Sequence, residues 1–592
     1  MLKERRWIVN TPRRKAFCSR PKLSERGVGA ANPAPSSAHR PEEPSRASAG
    51  FPLALGCKGF RDLQPNLLSA LTDWSPLATV PGARRTSTTH RTARPSGTTG
   101  SPDYGSTWMP SKLRPRRLTL LASAVALASA ALALPGAPAS ADTAPGGIDF
   151  SVRHQRIDGF GVSEAFQRAA VIHGLKGLSA EKGDEIVKLL FSREDGAGLS
   201  MLRLGVGSST DEVYDHMRTI APNAPASPDD PLTYTWDGND GGQVWLAKEA
   251  RKYGVKRFIA DAWSAPAYMK DNNSDSNGGT LCGVVGTDCA TGDWRTAYGK
   301  YLAQYVKFYQ REGIRITDLN FTNEPDWKAS YASMLFTPAQ AADAVKAIGP
   351  VLRAEAPGTK LYCCDSFGWN QGKAYAAAIA ADPAAEKEVA AYSAHGYASA
   401  ATSPLIDSDK PAWMSEWAGS GVWPSKWDDG TNAAGLYVAE NIHNALAQAD
   451  ASAYLFWLGA SIGDTGALIR MDGDSYMVST RLRAMTAFSR FIRPGAVRVD
   501  ASSGDETVLA SAYRNTDGTD VAVLINTGSQ ATTTDMALKA AKGHQVTGYL
   551  TDGDHDTRAV EGLAQVADGH LTAKLPARSV VTVVLAPGRS QG

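Results

Sequence analysis

The sequence predicts an α/β fold: a (β/α)8 TIM barrel with an attached side β-sandwich domain. Three observations lead there. Short apolar runs alternate with helical spacing across 158–489, the pattern of parallel strands joined by helices. Polar and aromatic residues recur where these runs stop, and in a closed barrel the C-terminal strand ends carry the chemistry. From about residue 490 the helical spacing gives way to alternating or apolar runs with Gly, Asp and Asn turns between them, as in a sandwich.

The elements follow in order. The run 148–157 reads as a lone strand. It precedes the barrel with no helix of its own, so segment 142–157 is expected to join the side domain. Barrel strand one ends in the glycines of Asp158-Gly159-Phe160-Gly161. Strand two, 199–204, finishes with Arg203 and Gly205. A helix at 245–253 leads into strand three, 255–262, which stops at Trp263-Ser264-Ala265-Pro266. A long polar loop, 271–292, and a helix, 298–309, come next. Strand four, 314–321, halts at Asn323-Glu324-Pro325, because proline has no amide to donate to a ladder. After the helix 339–356, strand 360–364 ends at Asp365-Ser366 and strand 389–394 at His395-Gly396-Tyr397. The run from 411 ends at Ser415-Glu416-Trp417. A helix at 436–449 and an eighth strand, 453–458, ending at Trp457, complete the barrel. The side domain, 490–592, shows strands at 508–514, 521–525, 533–538, 546–550 and 580–585.

Residues 1–108 are rich in Arg, Pro, Ser and Thr, a composition that does not fold. Met109 is then followed by a basic stretch at 112–117, an apolar run at 118–134 and Ala139-Ser140-Ala141. That order is a secretory signal, spanning 109–141. A signal works only near a start, so translation is expected to begin at Met109 and the secreted, extracellular chain at about Asp142. Secretion permits disulfides. Cys282 and Cys289 share one Gly/Thr/Asp loop and are expected to bridge. Cys363 and Cys364 are neighbours in a strand, where successive side chains point to opposite faces; they read as buried thiols. Their spacing suggests no metal, and neither metal nor cofactor is expected.

Lys and Arg number 62 against 60 Asp and Glu, which removes any charge drive toward nucleic acid or anionic membranes. The 14 Trp and 19 Tyr supply flat faces that suit sugar rings. The expected partner is a polysaccharide or oligosaccharide, bound by a monomer with no stable membrane association.

Hydrolysing a glycosidic bond needs one protonated carboxyl to donate to the leaving oxygen, and a second, ionised, to attack the sugar or activate water. The two environments must hold the pKa values apart. Glu324 and Glu416, at two strand ends with tryptophans beside the second, meet that need. Asn323, next to Glu324, can bind the sugar 2-hydroxyl.

These segments, in this order, resemble glycoside hydrolase family 30: Asp158-Gly159-Phe160-Gly161, Arg203-Leu204-Gly205, Ala262 to Pro266, Thr322-Asn323-Glu324-Pro325, Ser393 to Tyr397 and Ser415-Glu416-Trp417. The resemblance spans the barrel from Gly159 to Trp457 and extends to the side domain. It implies Glu324 as acid/base and Glu416 as nucleophile, with retention of configuration. It implies subsite roles for Arg203, Trp263, Asn323, His395, Tyr397 and Trp457. The stretch 161–168 looks most like the xylan-cleaving branch, so the expected activity is that of a β-1,4-xylanase or glucuronoxylanase. β-1,6-Galactanase, β-1,6-glucanase or glucosylceramidase-like hydrolysis stays open, as does carbohydrate binding without catalysis. Members acting on acidic xylan pair an arginine with its glucuronate branch. The loop 463–470 departs from the pattern of the bacterial glucuronoxylanases, which leaves Arg168 for that role.

Overall fold

The computed structural model describes residues 146–587 apart from 421–422, 424–425, 464–465 and 544. The signal expected at 109–141, and the segment before it, lie outside the described residues.

Eight parallel strands close into a barrel: Gly159–Ser163, Met201–Val206, Arg257–Ala262, Ile316–Asn320, Lys360–Ser366, Val389–His395, Ala412–Glu416 and Ala451–Leu458. The seam closes between strands eight and one, where Phe160 faces Tyr454. Strands of a parallel sheet are covered on both faces, which is why they read as apolar runs. The lower lumen is filled by Met201, Ile259, Tyr362, Trp413 and Leu455. The floor is ionic. Arg257 lies 4.6 Å from the Trp413 ring and pairs with Asp158 at 2.8 Å and Asp318 at 2.9 Å. The Trp413 indole donates to Asp158 at 2.9 Å. Asp158 therefore plugs the N-terminal end of the barrel. With the lower lumen packed, a polar site has room only at the opposite end.

The side domain is built on a ten-stranded sheet. Strand Gly147–Arg156 belongs to it, antiparallel to Val497–Ser502 and parallel to Thr532–Lys539. Ile148 and Phe150 thus sit in the sandwich core with Met536, Leu571 and Val581. Strand Asp520–Asn526 is buried on both faces. Ala522 and Leu524 point into the sandwich, whereas Val521, Val523 and Ile525 join the barrel core. The two-residue period of a strand lets one segment serve both cores. Arg578 adds a polar latch, donating to Asp428 at 2.6 and 2.8 Å, and its carbonyl accepts the Trp427 indole at 2.6 Å. Trp427 and Asp428 lie in the loop that follows Glu416.

The sheet also contains Asp556–Ala559, Ala564–Ala567 and His570–Leu575, which the sequence reading did not separate. Beyond strand eight, a small sheet of Ala460–Ile462, Ile469–Asp472 and Ser475–Val478 was likewise not expected.

Cys282 and Cys289 are joined, with Cα atoms 5.5 Å apart. Cys363 and Cys364 require a correction. They are not free thiols but are joined to each other. The peptide bond between them is cis and their Cα atoms lie 3.0 Å apart, so the strand alternation that argued against a bridge does not hold at this step. Among the described residues, no helix is long and apolar enough to cross a membrane.

Candidate active site

The two glutamates arrive at the barrel mouth differently. Strand seven runs through Glu416 itself. The ladder of strand four ends at Asn320, four residues before Glu324. There the chain turns with Glu324 at φ 46°, a left-handed backbone that costs a non-glycine residue about 1–3 kcal/mol. One contact holds the turn: the Glu324 amide donates to the Asp365 carbonyl at 2.9 Å. Pro325 thus marks a functional turn rather than the last rung of the ladder.

Both glutamates are buried, at 4% and 5% exposure. One carboxyl oxygen from each, together with a ring nitrogen of His395, lie within 4.8 Å of one another. Arg203, on strand two, donates to Glu416 Oε2. It also donates to Asp261 Oδ2 at 2.5 Å, Asn323 Oδ1 at 2.6 Å and Asp365 Oδ2 at 3.2 Å. The Tyr397 hydroxyl donates to Glu416 Oε1 at 2.8 Å, so both oxygens of this carboxylate are held. His395, the last residue of strand six, has Nδ1 3.0 Å from Glu324 Oε1. Ser415 Oγ donates to Asp365 Oδ1 at 2.5 Å.

Four carboxyl groups, on Asp261, Glu324, Asp365 and Glu416, thus surround two cationic side chains, Arg203 and His395. Burying an uncompensated charge is expensive, so protons are retained. Burial raises the Glu324 carboxyl above its ordinary value. Burial also raises Asp261, to about 7, with Asp365 and Glu416 adding to the effect and Arg203 opposing it. Asp365 goes the other way: burial would raise it, but the His395 hydrogen bond and the Arg203 charge hold it well below the usual range. His395 is raised to about 10, because Glu416, Asp365 and Glu324 together outweigh its desolvation. Burial thus disfavours the charged form of Glu324, which sits opposite the Glu416 carboxyl group held by Arg203 and Tyr397.

Among the described residues, Glu324, His395 and Glu416 form a group compact enough to hold a cation. A cation there would face the guanidinium already bound to Glu416 and would compete with the His395–Glu324 contact.

Trp263 and Trp457 meet at 5.6 Å between ring centroids, with the Arg203 guanidinium 4.6 Å and 5.9 Å from their rings. Phe166 completes this group, 5.1 Å from Trp263 and 6.2 Å from Trp457. Arg203, Trp263, Asn323, His395, Tyr397 and Trp457 are all brought to the glutamate pair. Arg168 is not. Its guanidinium donates to Asp215, to the Phe166 carbonyl at 2.7 Å and to Ser461 Oγ at 3.2 Å, and it lies 5.1 Å from the Tyr214 ring. It ties together the loops after strands one, two and eight, with an acidic partner already in place. The sequence reading missed Asp261, Phe166 and Ser415. The signal for Asp261 was a lone carboxylate inside the apolar run of strand three, where burial demands a partner.

A barrel whose fourth and seventh strands deliver two buried carboxyl groups to one gap has the arrangement of an O-glycosyl hydrolase. Residues 146–387 match the model of O-Glycosyl hydrolase family 30, and 495–583 that of the Glycosyl hydrolase family 30 beta sandwich domain. The catalytic domain of xylanase C from Talaromyces cellulolyticus superposes with a TM-score of 0.69 at 38% identity, over 75% of this chain and 100% of that one. A glucuronoxylanase, XynC, of Bacillus subtilis is 27% identical over 58% of this chain and 77% of its own. A protein named putative glucosylceramidase 1 of Caenorhabditis elegans is 28% identical over 66% of this chain and 79% of its own. An endo-1,6-β-D-glucanase of Trichoderma harzianum is 24% identical over 63% and 78%. The chain belongs to glycoside hydrolase family 30.

Proposed function

We propose that this chain is a secreted, retaining hydrolase of β-1,4-xylan or glucuronoxylan. Glu324 protonates the leaving oxygen while Glu416 attacks the anomeric carbon. Glu324, now ionised, then activates the water that releases the glycosyl-enzyme. The observation that carries this reading is the approach of the two carboxyl groups, one oxygen from each within 4.8 Å. Retaining pairs stand about 5–5.5 Å apart and inverting pairs about 6.5–9.5 Å, the larger gap admitting a water. Asn323 accepts from Arg203 through Oδ1, which leaves its amide to donate to the sugar 2-hydroxyl. Trp263 and Trp457 supply flat faces for the ring being cleaved.

The choice of xylan is supported by the likeness to the Talaromyces xylanase along that protein's whole length. Secretion is supported by the signal pattern at 109–141. Relatives at lower identity carry the names of other activities, so a substrate panel is the test. Wild-type protein and Glu416→Gln are assayed on β-1,4-xylan, glucuronoxylan, β-1,6-glucan, β-1,6-galactan and glucosylceramide. Cleavage of xylans, abolished in the variant, is expected. Cleavage of a β-1,6-glucan or galactan in place of xylan overturns the substrate. Cleavage of none overturns catalysis and leaves a binding protein.

A further inference from the structure

We propose that Lys270 is a positioning residue for the acid: its buried ammonium pins the loop that follows Glu324, and so holds the Glu324 carboxyl where the leaving oxygen can take its proton. The assignment rests on Glu324 being the acid, as proposed above.

Lys270 follows the short helical turn Ala267–Met269 beyond strand three and is 4% exposed. Its Nζ donates to Ser264 Oγ at 2.8 Å, to the Gly278 carbonyl at 2.6 Å and to the Ser333 carbonyl at 2.7 Å. An ammonium has three protons, and here each finds an acceptor. The acceptors lie in three places: on the residue after Trp263, in the loop 271–292, and in the loop that carries the chain away from Glu324. None of them is itself charged, so the buried cation is tolerated only while all three stay in place.

Ser333 is tied down on every side. Its amide donates to the Asp275 carbonyl at 3.0 Å. Its hydroxyl donates to the Ala329 carbonyl at 2.9 Å and accepts the Gly278 amide at 2.8 Å. Two residues on, the Leu335 amide donates to the Gly279 carbonyl at 2.7 Å. The segment 275–279 is anchored in turn, because Asp275 Oδ2 accepts from Ser209 Oγ at 2.5 Å. The loops after strands three and four thus meet on the Lys270 ammonium, and the loop after strand two backs them.

This knot bears on the acid through the backbone. The left-handed conformation of Glu324 persists only where the surroundings over-determine it. The Asp365 carbonyl fixes the turn at the Glu324 amide. Beyond the turn, the loop 325–336 closes on itself, the Phe336 amide donating to the Pro325 carbonyl at 3.0 Å. A closed loop pinned at Ser333 sets the direction in which the chain leaves Glu324. The same loop lays Ala332 against Phe166 and Trp263. Without the ammonium the loop is released, and an acid misplaced by about 1 Å loses on the order of 100-fold in rate.

The test compares Lys270→Met, Ser264→Ala and Glu324→Ala with wild type on two aryl β-glycosides. Both carry the same oligosaccharide, taken from whichever β-linked polymer of the panel the wild type cleaves best. The phenyl glycoside needs a proton to leave, whereas the dinitrophenyl glycoside does not. Assays are run at about pH 6, because burial lowers the Lys270 amine to about 7, against Asp275 and Asp271, and all three protons must be present. Lys270→Met is expected to lose roughly tenfold or more kcat/KM on the phenyl glycoside beyond any loss on the dinitrophenyl one. Ser264→Ala removes one acceptor and should show a smaller loss of the same selectivity; it decides the matter if Lys270→Met does not fold. A lock that only stabilised the fold would lower the active fraction, and with it both substrates alike, so equal losses overturn the proposal. Glu324→Ala separates the two assignments. Equal losses there overturn Glu324 as the acid. A selective loss there, beside equal losses in the Lys270 and Ser264 variants, overturns the role of Lys270 alone.

Discussion

His395 stands with Nδ1 3.0 Å from Glu324 Oε1, while its Nε2 lies 3.9 Å from Glu416 Oε2. A single imidazole thus couples the acid to the nucleophile. Its Nε2 is also 3.9 Å from Asp365 Oδ2, so the ring answers to three carboxyl groups at once.

That coupling gives stability a basic limb. The His395 pKa rises from 6.5 to about 10 in the folded protein. A group raised by folding contributes stability that is fully present below its unfolded pKa and is lost as pH rises through its folded one. The melting temperature is expected to fall progressively between pH 6.5 and about 10. His395→Gln should start lower and fall less over the same window. Wild-type and variant curves that run parallel would remove His395 as the cause.

Arg203 is the counter-ion of the site. Replacing it with Met leaves Glu416, Asp261 and Asp365 buried without their shared cation, a loss of about 3–5 kcal/mol where one partner of a buried pair is removed. Arg203→Met is expected to be insoluble or to unfold at markedly lower denaturant. Arg203→Lys keeps the charge but not the fork that reaches several acceptors. It should fold, and misplacing Glu416 should lower kcat/KM about 100-fold. Wild-type kcat/KM in a folded Lys variant would show that the fork is not needed.

The side domain is expected to be inseparable from the barrel. Val521, Val523 and Ile525 lie in the barrel core, so deleting 502–592 opens that core as well as removing Thr532–Lys539, the parallel partner of strand Gly147–Arg156. Insoluble protein, or a large drop in melting temperature, is expected from the deletion and from Val523→Asp alone. A soluble barrel of unchanged melting temperature would contradict the shared core.

Arg168 offers a sharper test of substrate charge. Its guanidinium already pairs with Asp215. Arg168→Ala is therefore expected to lower activity on glucuronoxylan and on unbranched xylan by the same factor, through loosened loops. A loss confined to glucuronoxylan would instead give Arg168 the glucuronate-pairing role.

Much of the site is legible in the sequence because each participant closes an apolar run. Glu324, His395 and Glu416 stand out as polar residues where buried strands stop. Asp261 does not, because it lies inside a strand and only its partnership with Arg203, from another strand, explains it. Phe166 sits in a left-handed turn, at φ 53°, that no local pattern announces. The short side-domain strands such as Asp556–Ala559 are too brief and polar for alternation to register. The Cys363–Cys364 bridge was missed because the alternation rule assumes a trans chain, and there the chain is cis. The pairing of Arg168 with Asp215, on a distant loop, is likewise invisible in the sequence.

The central claim is double displacement by Glu324 and Glu416, and the anomeric configuration of the first-formed product tests it most directly. Proton NMR recorded during the first minutes of hydrolysis, before mutarotation mixes the anomers, reads it from the new reducing end. Two successive inversions, one at Glu416 and one by water, predict the β-anomer from a β-linked chain. The α-anomer appearing first would mean a single inversion, and Glu416 would then be a base rather than a nucleophile.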